Sequence, residues 1–258
     1  MLSDKLYVSH WGVTQATIYS PTTFKEETRC NLSRGTGMNK HGCPYIHVGY
    51  GTQLRNMTAC DINKCLYATD QSTNYIHKAD GQNNYRFSPW SVGGNPQGLS
   101  MTSSHNVLVA LQGGHLLREY STDGTMIHQI NLRPAGITSP VHAVQLSQNR
   151  YAVTHHGSKH QLSVVDSDGK LVQSYGGNAG NLNSPHGITV DKRSLRMFVA
   201  DMSNNRILVI SCKTLEAYPL PLPDCELNGP YCLYYDAADD RLYIGEYSGQ
   251  RIICCKLV

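Results

Sequence analysis

The chain has 258 residues, 16% of them charged, with a formal net charge of +3. That length suits a single all-β domain with a large core, and the near-neutral charge argues against a chain held to bulk nucleic acid by electrostatics. No run of about 18 apolar residues is present to span a membrane as a helix.

In chain order, one segment returns six times, starting at Lys5, Cys65, Val107, Arg150, Arg196 and Arg241. The intervals are 60, 42, 43, 46 and 45 residues. A period of about 40–50 residues with several strands per unit is that of β-propeller blades. The long first interval places an insertion at residues 33–51, rich in glycine. The expected fold is all-β: a six-bladed β-propeller of four-stranded antiparallel blades. Blade limits fall at about 1–32, 52–94, 95–138, 139–182, 183–227 and 228–258, forming one domain over 1–258.

Blade 5 shows the unit most clearly. Its strands A to D are predicted at 187–191, 197–200, 206–210 and near 215–220, rich in Val, Ile and Leu and bounded by Asp, Asn and Ser. Asp80-Gly81, Asp123-Gly124 and Asp168-Gly169 mark three C-to-D turns, because Asp-Gly supplies the positive φ of a tight hairpin. No window holds a helical period, so almost no helix is expected.

Ser184-Pro-His-Gly-Ile-Thr-Val-Asp191, Met197-Phe-Val-Ala-Asp201 and Asn204-Asn-Arg-Ile207 resemble the NHL repeat, strongest in blade 5. The resemblance extends over nearly the whole chain and implies a six-bladed propeller that recognises protein or RNA, commonly downstream of RING, B-box and coiled-coil segments. At the edges, blade 1 lacks most of strand A and blade 6 lacks strand D, so ring closure is incomplete at the termini. The chain therefore reads as a fragment of a longer protein, the alternative being that part of 33–51 fills the gap.

Nine cysteines, an odd and scattered set, argue against a disulfide scaffold. Cys60 and Cys65 flank one A-to-B turn and could bridge neighbouring strands, while several others read as small buried apolar residues. The N-terminus carries no signal-peptide core, which favours the cytoplasm, and the nine cysteines leave an extracellular setting open.

A propeller gathers its B-to-C loops and strand A starts at one face, where binding residues are expected. The candidates there are Trp11, Gln97, His142, His155, His186, Arg206, Tyr231, Tyr247 and Arg251. Asp70, Asp201 and Glu246 close strand B in three blades and read as turn-shaping carboxylates. Arg206 and Arg251 either pair with those acids or face a ligand.

The function expected is non-catalytic recognition of a protein or peptide. Single-stranded RNA is an alternative, with aromatic platforms but few fixed cations. A third is a metal-dependent lyase or lactonase using zinc or calcium, with His142, His186 and His155 as ligands. Ser184-Pro-His186 and Pro140-Val-His142 resemble histidine contexts of peptidyl-hydroxyglycine amidating lyase, which implies zinc there. No cofactor is otherwise indicated.

Overall fold

The computed structural model describes residues 6–9, 15–19, 26–31, 35–38, 44–47, 54–60, 62–80, 86–177, 182–222, 225–247 and 252–257. Among them the secondary structure is strand and three single turns of 3-10 helix. Strands β1 (Leu6–Ser9), β2 (Gln15–Tyr19) and β3 (Glu26–Asn31) form a three-stranded sheet, and β4 (Gly35–Met38) pairs with β5 (Pro44–His47) as a separate hairpin.

Four four-stranded sheets follow, each in chain order. The first holds β6 (Leu54–Cys60), β7 (Cys65–Asp70), β8 (Tyr75–Asp80) and β9 (Arg86–Ser91). The second holds β10 (Pro96–Met101), β11 (Val107–Leu111), β12 (Leu116–Tyr120) and β13 (Met126–Asn131). The third holds β14 (Ser139–Ser147), β15 (Arg150–His156), β16 (Gln161–Asp166) and β17 (Leu171–Gly176). The fourth holds β18 (Pro185–Asp191), β19 (Arg196–Asp201), β20 (Arg206–Ser211) and β21 (Ala217–Pro219). A three-stranded sheet closes the series: β22 (Pro230–Asp236), β23 (Arg241–Glu246) and β24 (Ile252–Lys256).

The expectation of six four-stranded blades is therefore corrected to five blades, four of four strands and a last one of three. The reason lies before Leu54. The copy at Lys5 does begin a strand, in a sheet that has three strands among the described residues. Of residues 33–51, the described Gly35–Met38 and Pro44–His47 pair with each other as a separate hairpin. Closing so short a loop costs little chain entropy, which favours the local pairing.

These strands build two compact units, Met1–Val109 with Glu119–Ile127, and Ala110–Arg118 with His128–Val258. The second shows why the repeated segment is apolar throughout. Successive strand side chains point to opposite faces. In β19, Met197 and Val199 pack with Val144, Ala152, Leu162 and Val164 of the sheet before it. Phe198 and Ala200 pack with Tyr235, Leu242 and Ile244 of the sheet after it. Both faces are core, so no polar alternation survives.

The Pro-x-Gly that opens strand A has an equally physical origin. A Cβ on Gly187 would lie 2.7 Å from the Tyr231 carbonyl oxygen and 3.0 Å from the Cys232 Cα. Two first strands, β18 and β22, meet there backbone to backbone. Gly187→Ala should therefore destabilise the protein by about 1–3 kcal/mol through overpacking. Chemical denaturation checks this, and unchanged stability would contradict the close approach.

Candidate functional site

The acids that end the second strands are turn-forming. Asp201 is fully buried. Its Oδ1 accepts the Asn183 N–H at 2.7 Å, and its Oδ2 accepts Asn204 Nδ2 at 2.8 Å and Arg206 Nε at 2.7 Å. Glu246 Oε1 accepts the Asn228 N–H at 2.6 Å. Asp70 accepts the Ser72 N–H at 3.0 Å and the hydroxyls of Ser72 and Thr73 at 2.6 and 2.5 Å, with His77 Nε2 at 3.3 Å. Arg206 thus pairs with the acid of its own blade.

Several first-strand residues tie one sheet to the next. Asn56 Oδ1 accepts the Leu99 N–H at 3.0 Å, and His142 Nδ1 accepts the Ile188 N–H at 3.2 Å. That bond leaves Nδ1 of His142 without a proton. Thr69 Oγ1 donates to the Gln97 carbonyl at 2.9 Å, and Thr154 Oγ1 donates to the His186 carbonyl at 2.6 Å. Gln97 is buried, its amide donating to Asn95 Oδ1 at 3.0 Å. Thr69 and Thr154 are residues the sequence reading missed. Their signal is the hydroxyl one or two places before the end of the second strand, where other copies carry Ala or Gly.

His155 is buried, with Nε2 at 2.9 Å from Ser163 Oγ. Burial, together with the neighbouring His156 and His160, lowers its pKa to about 4. Strand alternation sends His156 to the other face. There its Nε2 donates to the Pro185 carbonyl at 3.1 Å.

His156 opens the feature that most resembles a binding surface, a row of five rings drawn from three successive sheets. Ring centroids are separated by 5.7 Å from His160 to His156, 4.7 Å from His156 to His186, 4.2 Å from His186 to Tyr231 and 5.4 Å from Tyr231 to Tyr247. His186 is buried, and Tyr247 is 48% exposed at the end of the row. The Tyr247 N–H donates to the Gly229 carbonyl at 2.8 Å, which fixes that end. His186, Tyr231 and Tyr247 are thus brought together, and His156 and His160 join them. His142, His155 and Arg206 are each engaged in the bonds described. Trp11 and Arg251 lie outside the described residues.

Among the described residues no three His, Cys, Asp or Glu side chains converge to hold a metal ion. His142 uses Nδ1 for a backbone N–H and His155 uses Nε2 for a serine hydroxyl. The proposed trio of His142, His155 and His186 therefore does not fit zinc or calcium. No helix among the described residues is long and apolar enough to cross a membrane.

Solved structures share this architecture. A protein of unknown function from Bacteroides caccae matches with TM-score 0.74 at 12% identity, over 98% of this chain and 89% of its own. The nidogen/laminin complex matches with TM-score 0.71 at 16% identity, over 98% and 89%. A catalytically inactive virginiamycin B lyase from Staphylococcus aureus, with quinupristin, matches with TM-score 0.67 at 14% identity, over 98% and 81%. The fold is that of a β-propeller. No protein-family model and no curated protein matches the chain. At these identities the likeness speaks for the fold alone, and the proteins sharing it include both an enzyme and a member of a protein complex.

Two outcomes are expected from the buried groups. Asp201→Ala should cost ~3 kcal/mol, because the buried carboxylate serves three donors; urea denaturation measures it. His155 should make stability depend on acid. With its folded pKa near 4 and an ordinary value of about 6.5, both states are neutral above pH ~6.5. Below that the unfolded chain binds the proton first, so stability falls as pH drops from about 6.5 to 4, by up to roughly 3 kcal/mol. Denaturation midpoints of wild type and His155→Gln across that window should converge as pH falls; parallel curves would contradict the assignment.

Proposed function

We propose that the protein is a non-catalytic recognition module of the NHL type that binds a protein or peptide on the surface built around His156, His186, Tyr231 and Tyr247. The row of rings carries this reading. Tyr presents a large, stiff contact area with a polar tip, and such residues dominate the energetic centres of protein interfaces. Charge is depleted at interface centres, and the acids near this row are consumed within their own turns. A similar structure, nidogen/laminin, is itself a protein complex.

Strand-tracking RNA binding needs free cations beside the rings. Arg206 is held by Asp201 and exposed Lys159 beside His160 is a single cation, fewer than a strand-tracking surface uses, so the peptide reading is favoured. The choice is open to test by selection from a random peptide display library on the folded protein. Peptides enriched on wild type should bind Tyr247→Ala and Tyr231→Ala at least ~30-fold more weakly, the loss typical of an interface anchor, with unchanged melting behaviour. Enrichment of RNA from a random pool, with no peptide enriched, would overturn the proposal.

A further inference from the structure

Two cysteines lie far from the row of rings in chain and in environment. Cys60 ends β6 and Cys65 begins β7, and the two are directly opposed in the antiparallel ladder. Directly opposed residues project to the same face of a sheet. Their Cα atoms are about 4.5–5.5 Å apart in either kind of antiparallel pair, inside the ~4.4–6.8 Å span that a disulfide accepts. Asn63, in the turn between them, touches both sulfurs. Its Nδ2 donates to Cys60 Sγ at 3.4 Å, and its carbonyl accepts from Cys65 Sγ at 3.1 Å. Both thiols are buried and reduced in the structure.

We propose that Cys60 and Cys65 are a redox-active cross-strand dithiol, which a small-molecule disulfide such as glutathione disulfide converts to an intramolecular disulfide. One cysteine loses its proton and its thiolate attacks a sulfur of the oxidant, forming a mixed disulfide and releasing one glutathione thiolate. The second thiolate then attacks the protein sulfur of that mixed disulfide and expels the second glutathione. Two protein thiols are oxidised, one glutathione disulfide is reduced to two glutathione thiols, and the two protons pass to them. The ladder already places the two Cα atoms within the span of a disulfide.

Both thiols are almost fully covered, while Ile62 in the turn between them is exposed. Burial raises the Cys65 pKa, with the Lys78 charge opposing it. The thiolate is therefore scarce at neutral pH, and closure should be slow there and quicken as pH rises.

The full chain, purified reduced, is equilibrated in glutathione buffers of graded ratio. Remaining thiols are alkylated, and the protein is digested with trypsin without reduction. Cleavage after Arg55, Lys64 and Lys78 separates the two cysteines onto peptides 56–64 and 65–78. The expected result is one cross-linked species of these two peptides that reduction splits, and whose yield follows the glutathione ratio. Oxidised wild type should melt ~5 °C above reduced protein, and Cys60→Ser/Cys65→Ser should lose that difference. Finding both cysteines alkylated in the most oxidising buffer, or either joined to another cysteine, overturns the proposal. The peptide map needs only wild-type protein, so a variant that fails to fold leaves it decisive.

Discussion

The structure depends on how adjacent sheets join where no backbone ladder connects them. Within a sheet, every strand satisfies its neighbour. Between β6 and β10, or β14 and β18, the chain offers no such ladder, yet buried N–H groups there still need acceptors. Side chains supply them: Asn56 for Leu99 and His142 for Ile188. Hydroxyls of Thr69 and Thr154 run the other way, to the carbonyls of Gln97 and His186. The device repeats with an amide in one place and an imidazole in another, because either can present a lone pair at the same spot. Gly187 belongs to the same constraint, since the backbones must approach closely enough for these short side chains to reach.

That constraint decides which polar residues are committed to the fold. A polar group buried at a seam must keep its partner, since an unsatisfied one costs more than the bond returns. His142, Gln97 and Thr154 are therefore committed to the fold. Asp201 and Glu246 are committed to their loops in the same way. His156, His186, Tyr231 and Tyr247 pack ring against ring. Tyr247 is the exposed end of that row, and Tyr231 lies between it and the buried His186.

Much of this architecture is legible in the sequence. Strand B is readable because both its faces are core: Met197 and Val199 one way, Phe198 and Ala200 the other. That makes an apolar run ending in an acid, and the run repeats. The Asp123-Gly124 and Asp168-Gly169 turns, with glycine φ of +92° and +79°, and the Pro-x-Gly entry follow from backbone geometry and are equally plain, while Gly81 lies outside the described residues. Blade number is harder, because a repeat copy reports that a strand exists and not how many strands join it. The copy at Lys5 starts a sheet, and the described residues Gly35–Met38 and Pro44–His47 after it form a hairpin of their own. Histidines are harder still. His155 and His156 are neighbours in sequence, yet one is buried against Ser163 and the other reaches Pro185 and the ring row. Composition marks both as candidates; only the pleat separates them.

The second strand also explains how one element can carry two chemistries without conflict. In β7, Cys65 stands at the start and Asp70 at the end. Five residue steps at about 3.3 Å separate them by roughly 17 Å. The acid shapes the loop at one end through Ser72 and Thr73, while the thiol faces Cys60 across the turn at the other. Between them Leu66, Tyr67, Ala68 and Thr69 are buried, a rigid segment whose packing resists small displacements. A bond formed at the cysteine end therefore constrains the hairpin without re-aiming the loop at the acid end. The proposed oxidation would therefore act on the stability of the hairpin and not on the loop that Asp70 shapes.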